Sequence, residues 1–272
     1  MKFETLANFI NAAFPERLST AWDNDGIEVC TDHNLEIGRI LLTLDITFDT
    51  LDYALKHGYN CILSHHPMIF SPLKKLDLTT AASRKAIFIA RHEICAVSMH
   101  TRLDSVSGGV NDCLLDVMGI KSRAEIFGAK DEENIGRIFE YSADSAKDFA
   151  VQIKKSLEEF YANNFDVDVP VSVKYKEGDK PVRKVAAVSG SGIDFAEDAI
   201  KLGVDTFLTG ESSYHKMIDA YEFNPVGERI NIIAAGHFET EALVLPYLKQ
   251  IIVAEFPQAP IDIYAVPFET II

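Results

Sequence analysis

Ser64-His65-His66-Pro67 puts two adjacent imidazoles directly after a short apolar run, Cys61-Ile62-Leu63. In open α/β sheets the functional groups gather beyond the carboxyl ends of the strands. Neighbouring side chains diverge on an extended chain, so two adjacent histidines suit two metal ions better than one. The competing reading is a pair of histidines that cap or hydrogen-bond a loop. A second arrangement is Gly236-His237-Phe238-Glu239-Thr240-Glu241, again after an apolar run. With a helix starting near Phe238, His237 and Glu241 share one face. An imidazole and a carboxylate so placed can hold one ion, and the second carboxylate oxygen can reach another. The same pair also fits a histidine at a helix N-terminus with a surface glutamate. Asp104 can supply a terminal carboxylate ligand. His100 reads either as a ligand or as a structural donor behind one, and His215 is similar. His33, His57 and His92 stand in polar or helix-end contexts and read as solvated.

Stepping along the chain, strand and helix signals alternate, which is the pattern of an α/β fold. Ile40–Leu44 is an apolar run, Asp49–His57 reads as a helix stopped by Gly58, and Cys61–Leu63 as a short buried strand. Ala81–His92 is expected to be helical, Ile94–Ser98 a strand and Val110–Val117 a helix. Phe3, Leu6, Ile10 and Ala13 mark one face of an N-terminal helix. A charged break near residues 120–134 contains Lys121, Arg123, Lys130, Asp131, Glu132 and Glu133, and it places a boundary between lobes at 1–125 and 126–272. In the second part Phe149, Ile153, Leu157 and Phe160 mark a helix face, and Val167, Val169, Val171 and Val173 alternate as a half-buried strand. A polar turn at Lys176–Pro181 precedes strands at Val185–Val188, Thr206–Leu208 and Ile230–Ala234, and a long helix is expected after His237.

The two parts can be superposed as sequences. With an offset of 145, Ile40–His66 runs beside Val185–Glu211 without a gap, and Asp49/Asp194, Ala54/Ala199, Lys56/Lys201, Gly58/Gly203 and Leu63/Leu208 are identical. With an offset of 137, His100…Asp104 falls on His237…Glu241. A histidine and a carboxylate four residues apart after a buried strand in each part point to an internal duplication.

Composition narrows the function classes. A 47% hydrophobic share supports a real core, and the formal net charge of −15 disfavours nucleic acid or an anionic membrane surface as the main partner. No apolar run is long enough for a membrane-spanning helix, and the polar Glu4, Asn8 and Asn11 do not fit a signal peptide. Cys30, Cys61, Cys95 and Cys113 form no CxxC pair, which fits buried thiols in a reducing cytoplasm. Gly190-Ser191-Gly192 joins a strand to a helix and offers backbone N–H groups to an anion, but Phe195 stands where a dinucleotide fingerprint needs its third glycine, and there is no P-loop. Trp22, the only tryptophan, sits in the acidic turn Trp22-Asp23-Asn24-Asp25-Gly26, where it can stack on a planar substrate or pack beside the turn.

At these residues the chain resembles the Nif-three-like family, whose members are also named GTP cyclohydrolase I type 2 and include the YbgI-type dinuclear metal proteins. The matching segments are Trp22-Asp-Asn-Asp-Gly-Ile, Ser64-His-His-Pro-Met-Ile-Phe, His100-Thr-Arg-Leu-Asp104, Ser107-Gly-Gly-Val-Asn-Asp112, Thr209-Gly-Glu211, Tyr214-His215 and Gly236-His-Phe-Glu-Thr-Glu241. They occur in the family's order along nearly the whole chain. The resemblance implies two similar three-layer α/β lobes with a dinuclear metal site at the cleft between them. Its ligands would be His65, His66, Asp104, His237 and Glu241, with Glu241 as the bridge. It also implies two divalent ions per chain (Zn, Mn, Fe or Ni), a toroidal homohexamer and no inserted domain here. The implied activity is metal-dependent hydrolysis of a purine nucleotide or related cyclic amide, in the manner of GTP cyclohydrolase I type 2. The alternative is a metal-binding regulatory or scaffold protein without turnover. His100, Asp45 and Glu211 are the candidates for proton relay, because each lies near a strand end, although Asp45 and Glu211 also fit surface or hydrogen-bonded carboxylates. Trp22 and Arg102 are the candidate substrate contacts, Arg102 standing where the family usually has Asn. A cytoplasmic location, a small-molecule substrate and no membrane or direct nucleic-acid partner complete the expectation.

Overall fold

The structure is a computed structural model that describes residues 1–121, 125–128, 135–224 and 227–268. The chain divides into two compact units, Met1–Leu103 with Leu245–Ala265, and Asp104–Val244 with the segment from Val266. Arg123, Lys130, Asp131, Glu132 and Glu133 of the charged break lie outside the described residues.

The first unit runs α1 (Phe3–Ala13), β1 (Gly26–Val29), β2 (Ile40–Thr43), α2 (Phe48–His57), β3 (Cys61–Ser64), α3 (Ala81–Arg91) and β4 (Cys95–Ser98). Helix α4 (Thr101–Ser105) carries the chain into the second unit, which continues with α5 (Val110–Val117), β5 (Glu125–Phe127), β6 (Gly136–Ala143), α6 (Ala146–Asn164), β7 (Lys174–Lys176) and β8 (Val182–Val188). It is completed by α7 (Ala196–Lys201), β9 (Thr206–Thr209), α8 (Tyr214–Glu222), β10 (Asn231–Ala234) and α9 (His237–Glu241). The chain then returns to the first unit as α10 (Leu245–Glu255) and β11 (Ile261–Ile263).

The first sheet has the order β1-β4-β3-β2-β11, with all pairs parallel except the edge pair β1·β4. Every residue of β2, β3 and β4 is buried, as expected of parallel strands covered on both faces. Thr47 and Thr50 form a capping box at the start of α2, and Gly58 ends that helix at φ +73°. Leu41, Leu51, Ala54, Ile62, Ile89 and Ala96 make one core. The second sheet has the order β5-β6-β8-β9-β10-β7, with β8, β9 and β10 parallel and β7 antiparallel at the edge. Its core includes Ile138, Ala186, Val188, Ala199, Phe207 and Ile232.

The duplication is visible in the topology. β2-β3-β4 and β8-β9-β10 are parallel triplets in the same order, each with an antiparallel edge strand beside its third member. The aligned glycines have the same left-handed backbone, φ +73° at Gly58 and +79° at Gly203. The entry to the middle strand is tied in the same way, with Asn60 N–H donating to Arg39 O and Asp205 N–H to Lys184 O.

Several sequence expectations differ in detail. The units are bounded at Leu103 and Val244, whereas the sequence reading put one boundary between residues 125 and 126. The difference comes from β11, which pairs in parallel with β2 and takes α10 into the first unit. Val167–Val173 is not a strand: Val169 and Val171 are buried, but Pro170 has no N–H for a ladder, and the strand begins only at Lys174. The helix expected after His237 is two helices separated by a 3₁₀ turn at Ala242–Val244. Among the described residues no helix is long and apolar enough to cross a membrane.

Candidate metal centre

In the first unit, the chain bends as it leaves β3. His65 N–H donates to Thr43 O, His66 N–H to Leu44 O, and Ser64 Oγ to His66 O. The extended geometry that would have sent the two rings apart ends at Ser64, and the rings lie 4.9 Å apart by their centroids. His100, just beyond β4, joins them at 5.4 Å from His65 and 5.6 Å from His66. One nitrogen from each of the three rings lies within 4.8 Å of the others.

Each ring is held by its Nδ1. His65 Nδ1 faces Met99 O at 3.3 Å, His66 Nδ1 faces Asp45 Oδ1 at 2.9 Å, and His100 Nδ1 faces Asp23 Oδ1 at 2.9 Å. An oxygen at Nδ1 favours the tautomer with the proton there, leaving the Nε2 lone pair to act as a ligand. Such partners are found behind most metal-ligating histidines. Asp23 is itself fixed, its second oxygen accepting from Thr101 N–H at 2.9 Å and Thr101 Oγ1 at 2.5 Å. Burial raises its pKa, but the hydrogen bonds from His100 and Thr101 outweigh that and bring it down to about 2. The proton-relay candidates Asp45 and His100 are therefore both engaged in this arrangement of ring and oxygen. Asp23 was not singled out in the sequence; its acidic turn was the only signal for it.

In the second unit, β10 leads through Gly236 into α9, where His237 Nε2 and Glu241 Oε2 are 3.0 Å apart. His237 Nδ1 faces Glu211 Oε1 at 3.0 Å, so Glu211, the third relay candidate, repeats the role of Asp45. Asp104 and Glu241 are both buried and bring carboxylate oxygens within 4.8 Å of each other. Two buried carboxylates that close repel unless a proton or a cation compensates them. Helix α9 is seated by Tyr161, whose hydroxyl donates to Glu239 O at 2.9 Å, and by Thr240, whose Oγ1 donates to Gly236 O and accepts from Gly190 N–H.

Gly190 was read as a possible anion-binding position and has a different task. Its N–H is used by Thr240, and that of Gly192 is used by Thr209 Oγ1. Its φ is +56°, and a Cβ built on it would stand 1.8 Å from Glu241 Oε1 and 3.3 Å from His237 Nε2. Only a residue without a side chain leaves room for both groups. Imidazole nitrogen with carboxylate oxygen is a donor set that fits Zn, Mn, Fe or Ni, so the residues present suit a divalent ion.

The two candidate substrate residues have different surroundings. Trp22 is 53% exposed, with its ring 6.0 Å from His100 and 6.2 Å from Phe70, itself 52% exposed. The loop bearing Phe70 is anchored, because Glu28 accepts from Met68 N–H and Ile69 N–H and Asn24 donates to Ile69 O. Burial raises the pKa of Glu28 despite those two bonds. Phe70 was missed in the sequence as a partner of Trp22. Arg102, by contrast, is fully buried. Its guanidinium makes a two-pronged pair with Asp25 at 2.7 and 2.9 Å and also donates to Asn11 Oδ1 and Phe14 O. Its charge braces α1 and the acidic turn. His33, His57, His92 and His215 are exposed.

Residues 1–270 match the family model described as Duf34/NIF3 (NGG1p interacting factor 3). The chain is similar to a GTP cyclohydrolase 1 type 2 homolog of Clostridium acetobutylicum, 34% identical over 89% of this chain and 85% of that one. It is also similar to NIF3-like protein 1 of Drosophila melanogaster, 28% identical over 79% and 69%. Among solved structures, Staphylococcus aureus protein SA1388 superposes with a TM-score of 0.78 at 23% identity, covering 100% of this chain and 99% of its own. The protein ybgI, of unknown function, superposes with 0.77 at 21%, covering 98% and 99%.

Proposed function

Because the chain belongs to the Duf34/NIF3 (NGG1p interacting factor 3) family, we propose that it is a dinuclear metal-dependent hydrolase. It acts on a purine nucleotide or a related cyclic amide, as the name of its relatives, GTP cyclohydrolase 1 type 2 homolog, suggests. His65, His66, Asp104, His237 and Glu241 would hold two divalent ions per chain, and Glu241 would be the ligand the two share. Such ions, when bound, supply Lewis acidity and acidify water. The observation that carries this reading is that each of the three histidine ligands has an oxygen at Nδ1, on Met99, Asp45 or Glu211, as a ligand-orienting shell requires.

The chain's own residues then have distinct tasks. Met99 O, Asp45 and Glu211 fix the tautomers of His65, His66 and His237. Asp23 does the same for His100, which keeps its Nε2 as a base for a proton at the site. Trp22 and Phe70 offer exposed aromatic faces beside His100 to a planar ring. The protein is cytoplasmic and a homohexamer on this reading.

A second reading has its own support. Asp45 and Glu211 are committed to histidine nitrogens, which leaves few carboxylates for proton transfer and suits a metal-binding regulatory or scaffold protein without turnover. One experiment separates the two. Metal-loaded protein is screened against nucleotides, phosphoesters and cyclic amides with Glu241→Ala as control. Turnover lost in the variant supports the hydrolase; stoichiometric metal binding with no turnover on any member of the panel supports the binder.

A further inference from the structure

Three cysteines lie in a row across the first sheet. Cys61 opens β3 and Cys95 opens β4, and the two are paired directly in the parallel register. On the other side of β4 the antiparallel edge strand β1 pairs Val29 with Ala96, so the next residue, Cys30, comes up beside Cys95. The Cys30 and Cys95 sulfurs are 3.5 Å apart, with the Cys95 thiol donating to Cys30. A disulfide needs about 2.05 Å, which two neighbouring chains in cross-strand contact can reach by small side-chain rotations. Cys95 and Cys61 are buried, whereas Cys30 is half-buried.

We propose that the Cys30–Cys95 pair is an oxidative modification site, at which a hydroperoxide converts the two thiols to an intramolecular disulfide while Cys61 stays reduced. The order of events follows from exposure. The Cys30 thiolate attacks the terminal oxygen of the hydroperoxide; the O–O bond breaks, an alcohol or water leaves, and Cys30 becomes a sulfenic acid. The sulfur of Cys95 then attacks the Cys30 sulfur, the S–O bond breaks, and water leaves with the thiol proton of Cys95. Two electrons pass from the two thiols to the peroxide. Burial holds the thiol of Cys95 well above its ordinary pKa, with the hydrogen bond to Cys30 adding to that, so Cys95 is a poor first target for the oxidant. As the resolving thiol it has proximity instead: a sulfur already in contact needs no diffusional encounter. Cys61, whose pKa burial also raises, lies one strand farther from Cys30, on the interior strand β3. The product would staple the edge strand β1 to the start of β4, at the end of β1 away from the turn that carries Asp23.

The test uses the full chain. Protein is treated with a small excess of hydrogen peroxide, quenched, alkylated in denaturant without reductant, and digested for peptide mapping. The expected result is that titratable thiols fall from four to two, with one Cys30–Cys95 linked peptide and with Cys61 and Cys113 alkylated. Cys95→Ser should stop at the first step, with Cys30 trapped by dimedone as a sulfenic acid, and Cys30→Ser should leave Cys95 reduced. Four thiols remaining under conditions that oxidise a small-molecule thiol would overturn the proposal. So would a link between Cys61 and Cys95, or one between chains. Metal binding plays no part in these readouts, so the outcome is independent of the function proposed above.

Discussion

Gly190→Ala is the substitution that most directly separates holding a metal from holding the fold. An alanine at φ +56° pays the left-handed backbone cost of about 1–2 kcal/mol. Its methyl group would also stand 1.8 Å from Glu241 Oε1, where carbon and oxygen need more than 3 Å, so the carboxylate must move by at least about 1 Å. The end of a glutamate side chain can swing away at little energetic cost. Metal coordination does not tolerate this, because ligand distances are held within about 0.2 Å. The expected result is a metal affinity about 10–100-fold weaker, comparable to loss of an orienting partner, with a stability loss of about 1–2 kcal/mol, that of the backbone alone. Gly203→Ala is the matched control. It sits at φ +79° with nothing within 4 Å of a new Cβ, so it shares the backbone cost without the clash. Competition titration of Zn²⁺ or Mn²⁺ against a chromophoric chelator, with urea unfolding alongside, reads both quantities. Equal metal affinity in the two variants would refute the reasoning, because it would mean that the position of Glu241 does not govern binding.

Four further outcomes are expected. Purified, metal-reconstituted protein should contain about two divalent ions per chain by elemental analysis, with Glu241→Ala losing both and Asp104→Ala mainly one; equal small losses would contradict a shared Glu241. Arg102→Met should destabilise the protein by about 3–5 kcal/mol in urea by leaving Asp25 buried and uncompensated, and Arg102→Met with Asp25→Leu should recover much of that; a double variant no better than the single one would argue against the pair. Asp23, with its pKa lowered to about 2, favours the folded state in its ionised form, so its contribution is complete above pH ~4 and is lost as pH falls through about 2. Asp23→Asn should accordingly flatten stability between those values in acid denaturation followed by circular dichroism, and an unchanged acid limb would remove the argument. Light scattering at micromolar concentration should give a hexamer, and a monomer would count against that assembly.

What could be read from the sequence was local in character. The parallel strands at Ile40–Thr43, Cys61–Ser64 and Cys95–Ser98 are each three apolar residues closed by a Thr or Ser, and α2 carries its own stop at Gly58. The repeated pattern of strand, helix and glycine carried over to the second sheet because the duplicated segments keep the same periodicity. The histidines and carboxylates could be picked out by type and by position after strands. What escaped were relations between distant positions. Asp23 meets His100 across 77 residues, and Arg102 meets Asn11 across 91, so neither spacing nor periodicity links them. Arg102 reads in the sequence as a cation near the site and a candidate substrate contact, because its partners in α1 and the acidic turn are invisible to local pattern. The alternating valines at 167–173 carried the right periodicity for a strand, yet a strand also requires a partner and free N–H groups, and Pro170 supplies none. β11 is only three residues, Ile261-Asp262-Ile263, and its place in the first sheet depends on a pairing with β2 that no local pattern announces.

That last pairing has a consequence for synthesis. The register joins Ile261 to Ile40, a pair that almost the whole chain separates, whereas the strands of the second sheet, Glu125 to Ala234, are contiguous in the chain. A chain emerging from the ribosome therefore has every strand of its second sheet available before the first sheet can be closed at its β2 edge. Until then β2 presents an open row of backbone donors and acceptors, the kind of edge that pairs with other chains. The entropic penalty of closing so long a loop grows only with the logarithm of its length, so waiting costs little in final stability. It costs time, during which the nascent first unit depends on segments not yet made.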